Sequence, residues 1–307
     1  MVTFTIAIPT FNRSRRLIAQ LDRLAPQLMA EQGRCGLLVS DNCSSDDTAE
    51  AVTSWIAAHP ALSVTYRRNE SNLGVMRNFA ACAKAAEGDF VWILGDDDEV
   101  PPDAVQRLLG VLDANPDLTL LSVNYEMFDV PNDRVMTPAR IRIQQDVVKP
   151  DAGPLVAQDD DGRPLVYLMG FMSAQVYRSE AIRRAIAEWP KFDNLDAQIL
   201  WSAHCAQQGP ALVKADVFLR YDCGTNPLAR PRVWFRVHVL HSSKVFRAMR
   251  RIGYPAPFCR AGLMIPVKSK HELKGTLSGM FRWPALGLQT ASYMAYALVV
   301  ISLPAGG

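Results

Sequence analysis

The stretch FVWILGDDDEV, residues 90–100, decides how this chain folds. Phe90 to Leu94 is an unbroken apolar run, the pattern of a strand buried on both faces inside a parallel sheet. It stops at Gly95, and Asp96, Asp97, Asp98 and Glu99 follow at once. Crowded carboxylates repel one another, and a divalent cation relieves that repulsion. Alternate residues of an extended segment point the same way, so Asp96 and Asp98 are expected to face one site. Acidic residues also cap helices, and Pro101-Pro102 opens a helix directly afterwards. On this stretch alone, a cation site and a helix cap both stay open.

Upstream, TFTIAI at 3–8 predicts a strand ending at Pro9. Leu17, Ile18, Leu21, Leu24 and Leu28 have helical spacing over 14–29. Cys35 to Val39 is a second strand, followed by Ser40-Asp41-Asn42. A helix starts near Ser45-Asp46-Asp47-Thr48, where carboxylates suit its positive end. A third strand covers 62–66, and an Ala-rich helix runs from Gly74 to about Glu87, where Gly88 stops it. Downstream, 118–123 is a fifth strand. This alternation predicts an α/β fold with a doubly wound, mostly parallel, Rossmann-like sheet. Ligands of such sheets lie outside the carboxyl ends of the strands. Three polar clusters fall there: Thr10 to Arg13, Asp41 to Ser45, and Asp96 to Asp98.

Periodicity weakens after 129, and 129–163 predicts a long excursion of the kind that forms lids or binding segments. Helices are expected at 179–188, 194–208 and near 232–250, with a strand at 211–221.

Composition narrows the function classes. The chain has 307 residues, a formal charge of +2 and 49% apolar residues, which suits a globular protein with a sizeable core. No long run of Lys and Arg occurs, so nucleic acid is not an expected partner. The six cysteines form no C-x-x-C pair, and scattered thiols of this kind suggest burial in a reducing compartment. MVTFTIAIPTFNR does not read as a signal peptide, because it lacks a basic start and its apolar run meets Pro9. Ala285 to Leu303 contains no charged residue and is about long enough to cross a bilayer. Gly, Gln, Thr and Ser dilute it, so a buried helix or one resting on a membrane surface is expected instead. No G-x-G-x-x-G follows the first strand, against a dinucleotide-dependent dehydrogenase, and no P-loop motif is present. The glycine-rich, basic first loop of a sugar-nucleotide pyrophosphorylase is absent too.

Four pieces, in this order and spacing, carry a resemblance: IPTFNR at 8–13, SDNCSSDDT at 40–48, RNESNLGVMRNF at 68–79 and FVWILGDDDEV at 90–100. Together they resemble family 2 glycosyltransferases of the GT-A fold, over residues 1–125. MGFMSAQVYRSEAI at 169–182 is similar to the branch that includes bacterial abequosyltransferase-like enzymes, which build surface polysaccharides. The resemblance implies a metal-dependent, inverting transfer of a hexose or deoxyhexose from a nucleotide-diphosphate donor to a saccharide or lipid-linked acceptor. Mn2+ or Mg2+ is the implied cofactor. The implied organisation is a nucleotide-sugar-binding half at 1–128, an acceptor-side half at 129–225, and a partly helical C-terminal region at 226–307. The implied place is the cytoplasm, with peripheral contact at the inner face of the cell membrane. A non-catalytic member that binds a nucleotide sugar or assembles a complex is the competing expectation.

Residue by residue, the resemblance puts Pro9, Thr10 and Asn12 in the first donor loop. Asp41 would accept a hydrogen bond from the base, with Asn42 and Ser44 in the same loop. Arg77 would reach the base or diphosphate, accompanied by Asn78. Asp96 and Asp98 would take the D-x-D positions, with Asp98 the direct metal ligand and Asp97 beside the donor. Thr10, Asn12 and Ser44 also fit plain turns and caps, and Arg77 a plain helix surface. Transfer needs a general base for the acceptor hydroxyl. KFDNLDAQILW at 191–201 offers Asp196 and Asp193, with Asp196 preferred, although it departs from the family's usual Glu-Asp pair. A cap and a first-turn acid are the alternatives for these two. Arg230 to His238 mixes cations and aromatics, which fits a surface amphipathic helix or a phosphate clamp.

Overall fold

The computed structural model describes residues 1–190, 194–223, 231–264 and 270–302. The first half alternates β1 (Phe4–Thr10), α1 (Ser14–Ala30), β2 (Cys35–Asp41), α2 (Thr48–Ala58), β3 (Val64–Arg68), α3 (Val75–Ala85), β4 (Phe90–Ile93), α4 (Ala104–Ala114) and β5 (Leu120–Asp129). Two short strands follow, β6 (Arg134–Thr137) and β7 (Val147–Lys149), then β8 (Gln175–Arg178), α5 (Ser179–Glu188), α6 (Ala197–Gln208) and β9 (Ala211–Cys223). The C-terminal helices are α7 (Pro231–Phe235), continued by a π-helical stretch Arg236–His241, then α8 (Ser242–Arg251), α9 (Ala256–Leu263), α10 (Lys270–Arg282) and α11 (Pro284–Ser302).

One mixed sheet runs in the order β3-β2-β1-β4-β8-β5-β9-β7, with β6 paired to β5. β3, β2, β1 and β4 are mutually parallel. The chain moves outward from β1 to β3 and then returns to place β4 on β1's other side. With right-handed crossovers, that reversal puts α3 on the face opposite α1 and α2. It also opens a crevice at the carboxyl ends of β1 and β4, where such sheets bind ligands. β4 is wholly buried, as its apolar run requires. On α1, Leu17, Leu21, Leu24 and Leu28 form the buried stripe that their spacing predicts.

Three differences from the sequence reading have physical causes. β1 passes through Pro9 to Thr10, two residues beyond the predicted end. Ala7 O accepts from Leu94 N on the β4 side, whereas Thr10 O accepts from Asn42 N on the β2 side. The alternation turns Pro9's nitrogen toward the β4 side, where the ladder ends at Ala7, while β1 continues through its pairing with β2 on the other side, which needs no donor from Pro9. The second difference is β8, which no periodicity announced. It lies antiparallel between β4 and β5, and keeps those two strands apart. At four residues, a strand is too short to show a period, and only its buried Val176 and Tyr177 mark it. Third, the 129–163 excursion is partly ordered: β6 extends β5, and β7 closes the sheet edge on β9.

The cysteines follow expectation: Cys35, Cys82, Cys205 and Cys259 are buried and all six are free. Among the described residues, no helix is long and apolar enough to cross a membrane. α11 packs against α8 and α9, and α8 packs on α6.

Candidate functional site

The site forms where β1, β2 and β4 end. β2 delivers Asp41 beside Thr10 in register. Asp41 is fully buried, and both its oxygens are occupied. Oδ1 accepts from the Ser44 backbone N–H at 2.9 Å, and Oδ2 accepts from the Tyr66 hydroxyl at 2.9 Å. Arg68 Nε lies 3.4 Å from Oδ2, and its guanidinium also donates to Ser44 O. Burial and the neighbouring Asp41 carboxylate push the Tyr66 phenol up, which keeps it a proton donor.

The first loop and the β2 loop hold each other. Asn12 has φ +53°, a left-handed conformation that Asn tolerates better than most residues. Its backbone N–H donates to Ser44 Oγ, and its Oδ1 accepts from Ser45 N at 2.7 Å. Asn42 accepts from Leu73 N and from Asn69, and donates to Asn72. Asn78 accepts from Ser40 Oγ and Asn69, and donates to Ser40 O. Asn12, Ser44, Asn42 and Asn78 thus tie the β1, β2 and α3 loops together. Pro9 is partly buried, and Arg77 projects from the first turn of α3 as an exposed residue.

The acidic residues occupy a turn, so strand alternation does not orient them. Asp96 leans toward β1 and α1: it accepts from Thr10 Oγ1 at 2.7 Å and from Arg13 Nη1 at 2.8 Å. The same Arg13 nitrogen reaches Asp97 at 2.8 Å, and Arg16 reaches Asp97 at 3.1 Å. Asp98 leans the other way. It accepts from Ser173 Oγ at 2.5 Å, and Ser173 Oγ in turn accepts from Gly95 N. Asp98 is only 5% exposed. Burial first, then the charges of Asp97, Asp96 and Asp222, push its carboxyl up to about 8. Asp96 is pushed up by burial as well, against the pull of Arg13.

These carboxylates suit Mg2+ or Mn2+, which take one or two carboxylate oxygens alongside substrate phosphates and water. Among the described residues, no cluster of three or more His, Cys, Asp or Glu could hold an ion. An ion shared with a diphosphate takes one or two carboxylates, and Asp96 and Asp98 are of the chemical type that supplies them. Burial with like charges nearby is also the situation that a divalent ion relieves.

The far wall comes from the second half. Glu99 and Arg220 exchange backbone hydrogen bonds and an ion pair between their side chains, which brings the end of β9 to the acidic turn. Phe171 sits 4.5 Å from Tyr125 and 4.9 Å from Tyr221 between ring centroids, two residues before Ser173. The segment Leu165–Gly170 ahead of it is packed by α6 and tied to it by Gln198, which donates to Gly170 O at 2.9 Å.

Asp196 stands at the start of α6, in the N-cap position, yet its side chain makes no capping bond. It is 7% exposed, and among the described residues one of its carboxylate oxygens has no hydrogen-bond partner. Burial pushes it up to about 7. Asp193 and Arg230 lie outside the described residues, as does the side chain of His238. Arg236 is exposed on the π-helical stretch. His241 is buried and pushed down to about 4 by burial, helped by Lys244 and Arg236.

The sequence reading missed four partners: Arg13, Tyr66, Arg68 and Ser173. Arg13 closes the quoted IPTFNR piece, so its position was visible but its contact with Asp96 was not. Ser173 lies in the quoted 169–182 stretch, and nothing local marks it as the partner of an aspartate seventy-five residues away.

Comparison with known proteins follows the same outline. The model for glycosyl transferase family 2 matches residues 5–221. Abequosyltransferase RfbV of Salmonella typhimurium is 35% identical over 116 residues, which is 38% of this chain and 34% of the relative. The match therefore spans about a third of that protein. The mannosyltransferase PcManGT from Pyrobaculum calidifontis, in complex with GDP-Man and Mn2+, superimposes with a TM-score of 0.58 at 16% identity, covering 98% of this chain and 86% of that one. Staphylococcus aureus TarS 1–349 with UDP-GlcNAc gives a TM-score of 0.55 at 15% identity, covering 97% and 88%. At such identities these two establish the shared fold.

Proposed function

The chain belongs to glycosyl transferase family 2, and on that premise we propose that it is a metal-dependent, inverting sugar transferase. The donor is a nucleotide-diphosphate sugar. The acceptor is a saccharide or lipid-linked hydroxyl in cell-surface polysaccharide synthesis, met at the cytoplasmic face of the membrane. The observation that carries this reading is the meeting of Asp41, beside Thr10 in the sheet, with the Asp96–Asp98 turn that Thr10 bonds at one sheet edge.

In this reading the β1 and β2 loops receive the nucleotide. Asp41, buried and held by Tyr66 and Arg68, fixes the base pocket from beneath together with Thr10, and Pro9 flanks it. Asn12, Asn42, Ser44 and Asn78 keep the pocket wall in shape through the hydrogen bonds described above. Arg77 faces the diphosphate. Asp98 and Asp96 are the carboxylates for Mn2+ or Mg2+, and Asp97 stays beside the donor with Arg13. When bound, the ion supplies positive charge where the leaving diphosphate accumulates negative charge.

Asp196 takes the acceptor proton. The acceptor oxygen forms its bond to the anomeric carbon as the bond from that carbon to the phosphate oxygen breaks, which inverts the centre. A base poised near neutrality is efficient at cellular pH, since it is both available and basic enough. A buried carboxylate raised to about 7 has that property. Among the described residues one oxygen of Asp196 has no partner; such a buried carboxylate lowers stability, and functional sites are where such groups cluster, which weighs against a non-catalytic scaffold.

A panel of nucleotide sugars, including nucleotide-linked deoxyhexoses suggested by the abequosyltransferase relative, tests the proposal. One donor should raise the melting temperature in the presence of Mn2+ and be hydrolysed slowly without acceptor. Equal, metal-independent responses to every donor would leave only nucleotide binding.

A further inference from the structure

Charge is segregated along this chain. Residues 231–307 contain eleven Lys and Arg against a single acid, Glu272, although the whole chain carries only +2. The preceding residues are therefore net acidic. Such asymmetry between regions points to an anionic partner for the basic part.

Among the described residues, the basic part also carries most of the exposed large apolar side chains of the second half. On α10, Leu273, Leu277 and Phe281 recur every four residues, so they share one helix face, at 40%, 45% and 82% exposure. On α11, Leu288 is 73% exposed and Val299 62%. They are eleven residues apart, three helical turns, so they also share a face. Ala295 and Ser292 lie between them on it and are exposed. No charged residue occurs anywhere in α11. Its opposite side carries the buried Thr290 and Ala297 and packs against α8 and α9. Gly287 has no room for a Cβ against the Met280 backbone, so α10 and α11 meet tightly at their bend. Phe281 and Leu288 flank that bend.

Cations from neighbouring helices rim the apolar face. Lys244 and Arg247 of α8 lie over the Tyr293 ring at 5.3 and 5.2 Å, and Arg247 lies 5.1 Å from the Tyr296 ring centroid. Arg260 of α9 donates to Ser302 Oγ at 3.2 Å, at the far end of α11. Lys270, Lys274 and Arg282 are exposed on α10.

We propose that the outer face of α10 and α11 seats this protein on a bilayer surface rich in anionic lipid headgroups. Apolar side chains enter the headgroup and acyl boundary, while the cationic rim meets phosphate charge. Long basic side chains with apolar stems suit that boundary. Pairing with a second copy through the same face would bring two cationic rims together, whereas anionic headgroups offset them. The face lies in the interface plane without crossing it, since no described helix is apolar and long enough to span. A protein held there is placed for the lipid-linked acceptor proposed above, but the surface does not depend on that chemistry.

Vesicle flotation of the full chain tests this without donor or acceptor. Vesicles of phosphatidylcholine with about one third phosphatidylglycerol should bind at least about tenfold more protein than phosphatidylcholine alone, and salt near about 0.5 M should remove most of that excess. Phe281→Ser combined with Leu288→Ser should lower binding by about tenfold or more, as expected when two exposed apolar anchors are lost. Donor hydrolysis by this variant, measured without vesicles, reports separately on the transferase reading and on correct folding. Binding that is unchanged in the double variant, or absent from both vesicle types, overturns the proposal. Self-association of the wild type that the double variant abolishes, without vesicle binding, assigns the face to a second copy and overturns it as well.

Discussion

On the proposed assignment of Asp196 as base, Asp196→Asn separates catalysis from stability, because burial that raises a carboxyl also weakens the fold. The folded protein holds this carboxyl at about 7, against an ordinary value of 3.8. Each unit corresponds to about 1.4 kcal/mol, so the shift of roughly three units sets an upper bound of about 4 kcal/mol. The sign follows from proton counting. Between the two values the folded state keeps a proton that the unfolded state has released. Stability therefore falls as pH rises through this window, and the full penalty stands above the folded value. Asparagine keeps the size and cannot ionise. The variant should equal the wild type in stability near pH 4 and exceed it by about 2–4 kcal/mol at pH 8, with the gap opening between them. Chemical denaturation across that range measures the gap. Transfer by the variant should drop by about a hundredfold or more while donor-induced stabilisation persists, as expected for loss of a general base. Wild-type transfer should rise with pH and level off above about 7, as the base loses its proton. A stability difference that does not vary with pH would refute the buried-charge argument. Near-normal transfer would remove Asp196 as the base.

Asp98→Asn should abolish the Mn2+-dependent part of donor stabilisation and reduce transfer by about a hundredfold or more, with Mn2+ binding followed by electron paramagnetic resonance. Arg13→Ala leaves Asp96 buried without its counter-ion. Because Arg13 is itself 35% exposed, the loss should be about 1–2 kcal/mol, between the values for surface and buried pairs, and Mn2+ should restore more stability to the variant than it adds to the wild type. Tyr66→Phe removes a donor to the fully buried Asp41 and should cost about 1–3 kcal/mol in denaturation, with weakened donor binding. A variant as stable as wild type with full donor affinity would show that Arg68 and Ser44 suffice to hold Asp41.

The donor side was legible because its signals are local. An apolar run ending in Gly95 and three aspartates, and a second ending in Asp41, place both acids at strand ends whatever the rest of the fold does. The buried stripe of α1 and the free, mostly buried cysteines follow from spacing and composition in the same way. Other features were hidden by their dependence on distant chain. Pro9 signals a strand end by its missing N–H, and the ladder to β4 does end there, yet β1 continues because its pairing with β2 lies on the other side. β8 is four residues long, too short to show a period, and becomes a strand because β4 and β5 both present edges to it.

The sequence by itself thus determined the family, the parallel α/β half and the candidate donor residues, since strand period, helix caps and motif spacing are properties of neighbouring residues. Only the tertiary structure decided how the acids are placed and partnered. In sequence, Asp96 and Asp98 look like a matched pair on one face of an extended segment. In the fold they occupy a turn, one drawn to Thr10 and Arg13, the other to Ser173. Likewise Asp196 reads as an ordinary helix-start acid until its burial is seen, with one oxygen that has no partner among the described residues. Burial, desolvation and the charge of a neighbour arise from residues far apart in the chain, and they set the chemistry that the local pattern only makes available.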